Sequence, residues 1–279
     1  MKFFLLCSLV LGTLIFSYAL FIEPFRLIVT EWTVKTEKWN SATPLKIVLL
    51  ADTHSISPWM TEKHLDKIIQ KTNDLNPDIV LLLGDYVATH SFGNQLHPED
   101  GVRPYKNIKS KCGVFAILGN HDLHDSEGWP EALNKTGIPI LRNEAKKIVC
   151  NKHSFWIAGL DEWWYGRPDI AETIKGVKDN ESIIFMTHNP DAFPEIPNSV
   201  ALTVAGHTHG GQIRLPFYGA IPFVVPSKFG TRYVYGHIIE DGKDLVVSGG
   251  LGMTGIPLRF LMLPEITVVN LKNSDIKTE

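Results

Sequence analysis

Short polar motifs rich in histidine and aspartate recur along the chain, each directly after an apolar run. Carboxylate, imidazole and amide oxygen atoms are suitable ligands for Mn, Fe, Zn or Ni, and no thiolate accompanies them. Two such ions need a bridging carboxylate, and together they can activate water for attack on phosphorus. In order, the motifs are Asp52-Thr53-His54, Gly84-Asp85, Gly119-Asn120-His121-Asp122, His188 and Gly206-His207-Thr208-His209.

The apolar runs that precede the motifs predict the strands that would position them. Continuous aliphatic runs are typical of strands buried on both faces. We expect helices over 61–75 and 129–135, and alternating strands and glycine-rich turns in the last fifty residues. This order predicts an α/β sandwich of two sheets with helices outside, in which strand ends meet at one crevice. The predicted strands that carry motifs cover 46–51, 79–83, 114–118, 183–186 and 202–205.

The full set of motifs resembles the calcineurin-like metallophosphoesterases over residues 46–270, whose pattern runs D-x-H, G-D, G-N-H-[DE], H, G-H-x-H. The resemblance implies a four-layer α/β/β/α fold of two mixed sheets flanked by helices. It also implies two divalent metal ions, with manganese favoured and iron, zinc or nickel as alternatives. The implied ligands are Asp52, His54 and His209 for one metal, Asn120, His188 and His207 for the other, and Asp85 between them.

The same resemblance implies catalytic roles for His121 and Asp122. His121 would lie over the phosphate, where it stabilises the transition state or protonates the leaving oxygen. Asp122 would orient the ring of His121, as carboxylates commonly do for functional imidazoles. The reaction implied is hydrolysis of a phosphodiester or pyrophosphate bond by a metal-bridged hydroxide.

Three longer strings narrow the resemblance to bacterial membrane-associated phosphodiesterases. That branch includes relatives of a lipid A enzyme that hydrolyses UDP-2,3-diacylglucosamine, which implies a lipid-linked or nucleotide-linked substrate. One alternative is a general phosphodiesterase that acts on soluble substrates. The other is a non-catalytic scaffold, which would be expected to have lost metal ligands. The strings are AGHTHGGQIRLP, HNPDAF and SGGLGMTGIPLRF.

The N-terminus carries a nearly unbroken apolar run over 3–22, long enough to cross a bilayer as a helix. It predicts a single-pass anchor in the inner membrane at 1–24. A lead-in and linker would follow at 25–44, and the phosphoesterase domain at 45–279. A cleaved signal peptide is the alternative, with Ser17-Tyr18-Ala19 as its cleavage site.

The charges around this run bear on which membrane face carries the domain. Only Lys2 precedes the run, whereas Arg26, Lys35 and Lys38 follow it. The positive-inside rule therefore slightly favours a cytoplasmic domain, with an extracytoplasmic one as the alternative.

Composition excludes several other classes of protein. The 279 residues are 44% hydrophobic and 20% charged, which is unlike a disordered chain or a multi-span membrane protein. A net charge of −3 makes nucleic acid an unlikely partner. The chain has three cysteines, and we expect Cys112 and Cys150 to be buried small hydrophobes rather than a disulfide framework.

Other residues near the motifs are weaker candidates for binding substrate. Aromatic side chains in the loops would form an apolar wall or a membrane-facing lip, with core packing as the alternative. An arginine would pair with a substrate phosphate, with ordinary surface charge as the alternative. The region 88–111 is predicted to be a long surface loop near the site. These candidates are Trp59, Trp163, Trp164, Tyr165, Phe217, Tyr218, Phe223, Arg214, Arg232, His90 and His97.

Overall fold

The computed structural model describes residues 1–89, 92–124 and 127–275. Within these ranges, five short 3₁₀ helices, including Arg103–Asn107 and His209–Gly211, lie between the longer elements. The helices are α1 Lys2–Phe21, α2 Glu62–Asp74, α3 Pro98–Val102, α4 Asn120–Leu123, α5 Trp129–Asn134 and α6 Ile170–Thr173. The strands are β1 Ile28–Lys35, β2 Leu45–Leu50, β3 Ile56–Ser57, β4 Ile79–Leu82, β5 Asn94–Gln95, β6 Val114–Ala116, β7 Glu144–Cys150, β8 His153–Gly159, β9 Ile183–Met186, β10 Leu202–Ala205, β11 Arg214–Leu215, β12 Gly219–Ala220, β13 Gly236–Glu240, β14 Lys243–Val247 and β15 Glu265–Lys272.

Two mixed sheets pack face to face, which confirms the predicted sandwich. The first has the order β1-β15-β2-β4-β6, and the second has the order β13-β14-β10-β9-β8-β7. Aliphatic side chains from both sheets, such as Leu49, Leu81, Ile184 and Val204, form the core between them. Helix α2 covers the outer face of the first sheet with Leu65 and the residues that share its side of the helix.

Two edge strands lie outside the elements predicted from the sequence. Strand β1 pairs in parallel with β15 along eight residues, so the first sheet begins within the predicted lead-in. Strand β7 pairs with β8, and Glu144, Lys146 and Lys147 are exposed along it. An edge strand needs only one apolar face, so neither segment shows the continuous aliphatic run of a central strand.

A disulfide corrects the prediction for two of the cysteines. Cys112 precedes β6 and Cys150 ends β7, and their Cα atoms are 5.5 Å apart across the bond. Because β6 and β7 are the edge strands of the two sheets, the bond ties one edge of the sandwich together.

The segment 88–111 also differs from the predicted surface loop. Its described part contains β5, α3 and a 3₁₀ helix, and Val102 and Tyr105 are buried against the first sheet. The buried Tyr105 hydroxyl lies 2.9 Å from the Thr53 hydroxyl, which connects this segment to the first polar motif.

Candidate metal centre

The polar motifs meet where the parallel strands of both sheets end. Asp52, Asp85 and Asn120 follow β2, β4 and β6 of the first sheet. His188 and His207 follow β9 and β10 of the second. All of these side chains are buried, so the polar groups must satisfy one another or bind a ligand.

Asp85 lies at the middle of the cluster, between two histidines. Nδ1 of His54 lies 2.8 Å from the Val87 carbonyl, and Nδ1 of His188 lies 2.7 Å from the Leu83 carbonyl. A nitrogen that donates to a carbonyl carries the proton, so Nε2 of each ring is left to face inward. Oδ2 of Asp85 lies 3.6 Å from Nε2 of His54 and 3.1 Å from Nε2 of His188.

The other oxygen of Asp85 accepts a hydrogen bond from the backbone. Oδ1 accepts a hydrogen bond of 2.9 Å from the amide of His121. Gly119 makes this approach possible, because a Cβ at that position would overlap the Asp85 carboxylate. Oδ2 is therefore the oxygen that faces both histidines, which is the place of a bridging ligand.

On one side of Asp85, three side chains could hold a first cation. Nε2 of His209 lies 3.1 Å from Nε2 of His54 and 3.7 Å from Oδ1 of Asp52. Burial raises the pKa of Asp52 to about 7, so a cation here would favour its ionised form. Asp52, His54 and His209 form a group whose ligand atoms lie within 4.8 Å of one another.

On the other side, a second group surrounds His188. Its Nε2 lies 3.1 Å from Oδ1 of Asn120 and 3.2 Å from Nδ1 of His207. His207 holds its Nε2 against the Pro226 carbonyl at 2.9 Å, so Nδ1 is the nitrogen free to bind a metal. Asp85, His188 and His207 also have ligand atoms within 4.8 Å of one another.

The charge states of the cluster suit cation binding. Burial lowers the pKa of His54 and His207 to about 3 and that of His209 well below its usual range, so these rings are neutral. Burial acts in the same direction on His188, but the Asp85 carboxylate outweighs it and raises the pKa of His188 to about 10. A metal ion bound beside Asp85 would take the place of that proton.

The backbone at the cluster is strained in a way that the sequence does not reveal. Five candidate ligands adopt the left-handed conformation, which non-glycine residues rarely occupy. Such residues cost on the order of 1–3 kcal/mol each and concentrate at functional sites. Their φ angles are 55° at Asp52, 42° at His54, 57° at Asp85, 71° at His207 and 52° at His209.

His121 lies beside the cluster, but its ring contacts differ from those predicted. The ring centroid is 5.0 Å from that of His54. Nδ1 meets the Thr89 hydroxyl at 2.5 Å, and Nε2 lies 3.3 Å from the Thr254 hydroxyl. Neither threonine was singled out from the sequence, although Thr254 lies in the string SGGLGMTGIPLRF.

The hydrogen bonds described for Asp122 come from the backbone, and its role in orienting the His121 ring stays a prediction. Its carboxylate is buried and accepts hydrogen bonds of 2.7–2.8 Å from the amides of Asp85, Tyr86 and Gly119. Asp122 therefore joins the ends of β4 and β6, and it fixes the loop that presents Asp85.

The candidate aromatic wall is only partly present at the site. The half-exposed Trp164 packs edge-on against His207, with 4.5 Å between ring centroids. Trp59 donates its indole hydrogen to the Leu20 carbonyl, and Trp163 packs beneath the second sheet. Phe217, Tyr218 and Phe223 are exposed, and Tyr165 packs against His124.

The remaining candidates lie away from the two groups of ligands. Arg232 pairs with Glu240 at 2.7 Å, and His97 pairs with Glu99 at 2.7 Å. Arg214 donates to the Gly210 carbonyl, behind the last ligand motif. His90 lies outside the described residues.

Comparison with known proteins agrees with this geometry. The family profile for calcineurin-like phosphoesterases matches residues 45–211. The chain is 32% identical over 266 residues to the uncharacterized metallophosphoesterase YkuE of Bacillus subtilis, covering 93% of this chain and 91% of that one. It is 31% identical over 242 residues to the phosphodiesterase YaeI of Escherichia coli, covering 83% and 84%.

One vertebrate relative is named as a transmembrane protein. The chain is 29% identical over 252 residues to a zebrafish transmembrane protein with a metallophosphoesterase domain, covering 84% of this chain and 55% of that protein. The predicted resemblance is thus confirmed, and with it the expectation of a hydrolase that uses divalent metal ions. This chain belongs to the calcineurin-like phosphoesterase family and is a phosphoester hydrolase.

Proposed function

We propose that this chain hydrolyses the phosphodiester or pyrophosphate bond of an amphiphilic substrate at a membrane surface. The observation that carries the two-metal part is Oδ2 of Asp85, which faces Nε2 of both His54 and His188. Two divalent cations, with manganese as the first choice, supply Lewis acidity and activate a water for attack on phosphorus. Asp52, His54 and His209 would hold one cation, Asn120, His188 and His207 would hold the other, and Asp85 would contribute to both sites.

In this proposal His121 protonates the leaving oxygen or donates to a phosphoryl oxygen. If the Thr89 hydroxyl donates to Nδ1, the proton of the neutral ring is on Nε2, the nitrogen that lies 3.3 Å from the Thr254 hydroxyl. Burial lowers the pKa of His121, which supports a neutral ring. Asp122 is a positioning residue, because it holds the backbone of Asp85 in place.

An apolar groove beside the cluster supports the proposal that the substrate is amphiphilic. The groove has a volume of about 330 Å³ and extends from His209 and Thr254 to Ile221, Val224 and Ile256. Its lining is mostly apolar, and Val224 and Ile256 are more than half exposed at its rim. An acyl chain in this groove would reach the cluster. Each methylene group buried there would contribute about 0.8 kcal/mol at most to the binding free energy.

Helix α1 supports placing this groove near a bilayer. Among the described residues, it is the helix that is long and apolar enough to span a membrane, and it is almost wholly exposed. We propose that α1 is a retained anchor rather than a cleaved signal. The segment 254–262 runs from the groove to the end of α1, where the Arg259 amide donates to the Ala19 carbonyl at 3.1 Å.

A charge in the groove is expected to weaken only the acylated substrate. We expect Ile256→Glu to lower kcat/KM at least about tenfold for a long-chain phosphodiester, since the chain would be buried against a carboxylate. Hydrolysis of a small aryl phosphodiester should stay within about twofold of the wild type. Ile239→Glu, an exposed isoleucine on β13, is the control and should change neither rate. Equal losses on both substrates with Ile256→Glu would contradict an acyl groove.

The disulfide bears on which membrane face carries the domain. Disulfides persist in oxidising compartments and are rare in the cytoplasm. We propose that the domain lies on the extracytoplasmic face, which is the alternative to the cytoplasmic orientation that the flanking charges slightly favour.

Thiol labelling in whole cells tests this orientation. In cells quenched and denatured before labelling, we expect Cys112 and Cys150 to resist alkylation until a reductant is added, whereas the free thiol of Cys7 reacts without it. Cys112→Ala should lower the free energy of unfolding by about 2–4 kcal/mol under non-reducing conditions and much less in reductant. Alkylation of both cysteines without reductant would place the domain in the cytoplasm.

A substrate panel tests the proposed function as a whole. Full-length, manganese-loaded protein in detergent would be given a long-chain phosphodiester, UDP-2,3-diacylglucosamine, an aryl phosphodiester and a phosphomonoester. We expect kcat/KM to be at least about tenfold higher for an acylated substrate than for the aryl diester. A strong preference for UDP-2,3-diacylglucosamine, the lipid A precursor, would place the domain in the cytoplasm and contradict the extracytoplasmic orientation proposed above. Equal rates on acylated and soluble diesters would favour the general phosphodiesterase.

A further inference from the structure

The C-terminal end of helix α1 is fixed to the domain rather than connected by a loose linker. The Trp59 indole donates to the Leu20 carbonyl at 3.1 Å, and the Arg259 amide donates to the Ala19 carbonyl at 3.1 Å. The Met262 amide then donates to Oε1 of Glu23 at 2.8 Å. If α1 spans a bilayer, these contacts set which surface of the domain meets the lipid headgroups.

A cavity lies at this junction, and we call it the headgroup pocket. It has a volume of about 490 Å³, and its lining includes Tyr18, Glu23, Arg26, Arg214 and Tyr235. Tyrosines with arginines are typical of the water-facing border of a membrane protein. The pocket is separate from the metal centre, because it shares none of the candidate ligands.

Two arginines bring positive charge to the headgroup pocket. Arg26 is exposed and donates to the Tyr18 hydroxyl at 2.8 Å. Arg214 is half-buried, donates to the Gly210 carbonyl at 3.1 Å, and lies over the Tyr235 ring. Within the described ranges, neither guanidinium pairs with a carboxylate. Both have donors left for a phosphate, the anion that guanidinium groups bind best.

Glu23 contributes a hydrogen-bond acceptor to the lining of the headgroup pocket. Its side chain is buried, and Oε2 has no hydrogen-bond partner among the described residues. The buried guanidinium of Arg259 does not supply one, because it donates to the carbonyls of Gly249, Gly252 and Met262. A buried oxygen that lacks a hydrogen bond is unfavourable, so a donor from a ligand would be stabilising.

We propose that the headgroup pocket binds the phosphoethanolamine headgroup of a bilayer lipid. Arg26 and Arg214 would bind the phosphate, and Oε2 of Glu23 would accept a hydrogen bond from the ammonium. A choline headgroup has no N–H to donate, and a glycerol headgroup has no cation. Phosphatidylethanolamine is therefore the lipid that matches all three side chains. This inference goes beyond the proposed function, because it requires no hydrolysis.

Native mass spectrometry of the full-length protein tests this proposal. The protein would be equilibrated in micelles that contain equal amounts of phosphatidylethanolamine, phosphatidylcholine and phosphatidylglycerol. We expect one phosphatidylethanolamine per chain, retained at least tenfold over each of the other lipids. Millimolar inorganic phosphate should not displace it. Displacement by phosphate, or equal retention of the three lipids, would overturn the proposal.

Three substitutions make the assignment specific. Arg26→Gln and Glu23→Gln should each lower phosphatidylethanolamine retention at least tenfold, and glutamine at position 23 can still accept from the Met262 amide. Arg232→Gln, which removes an exposed arginine paired with Glu240, should leave retention unchanged. Among the described residues, the exposed Arg26 guanidinium donates only to the Tyr18 hydroxyl, so Arg26→Gln remains informative if Glu23→Gln does not fold. Wild-type retention in Arg26→Gln would overturn the proposal whether or not the chain hydrolyses the proposed substrate.

Discussion

Asp85→Asn is expected to lower kcat by at least about a thousandfold, on phosphodiesters and on pyrophosphates alike. The substitution keeps the size of the side chain and the hydrogen bond from the His121 amide to Oδ1. It replaces Oδ2, which faces His54 and His188, with an uncharged group that cannot bridge two cations. Loss of a catalytic cation removes several kcal/mol of transition-state stabilisation, and each 1.4 kcal/mol is tenfold in rate.

Metal content must fall together with the rate in this variant. We expect the purified Asp85→Asn protein to hold fewer than two equivalents of metal per chain under conditions that saturate the wild type. Asp244→Asn is a matched control, because Asp244 is also a buried carboxylate and its Oδ1 lies 2.7 Å from a histidine, His237. That control should keep both rate and metal. An active Asp85→Asn enzyme would show that hydrolysis does not depend on a bridging carboxylate at this position.

His121→Gln is expected to lower kcat by about 10²–10⁴-fold while two metals remain bound, because a proton donor contributes a factor of this size. The loss should depend on the leaving group. An alkyl leaving group needs protonation, so the full loss is expected there, whereas a nitrophenyl group leaves readily without it. The measurement is kcat for the two substrate types in the wild type and in the variant.

Two further substitutions test whether His121 acts chemically or only through packing. Thr89→Val removes the hydroxyl at Nδ1, and we expect a smaller loss of about tenfold with the same dependence on the leaving group. His153→Gln, on β8 against Trp39, should change neither rate. An equal loss in His121→Gln on alkyl and nitrophenyl substrates would contradict a proton-donating role.

The positions of the candidate ligands could be predicted from the sequence because central strands have a strong pattern. The runs before Asp52, Asp85 and His207 are mostly apolar and form strands buried on both faces, and such strands end at one edge of a sheet. The structure brings these side chains within a few ångströms of one another across two sheets. The proximity of these side chains could therefore be predicted from the strands that precede the motifs, whereas no single residue predicted it.

Other features depend on tertiary contacts that leave little trace in sequence. Edge strands β1 and β7 bury one face only, so their patterns resemble those of loops. Cys112 and Cys150 are far apart in the sequence, and their pairing follows from the meeting of two sheet edges. Thr89 was not predicted because a lone threonine after a strand has no distinctive spacing, yet its hydroxyl contacts His121.

Anomalous diffraction from crystals of manganese-loaded protein tests the central claim most directly. The account predicts two manganese peaks per chain, one among Asp52, His54 and His209 and one among Asn120, His188 and His207, with Asp85 between them. A chelator should remove both peaks together with phosphodiester hydrolysis, and added manganese should restore both. A single peak, or a pair that leaves Asp85 out, would contradict the two-metal centre.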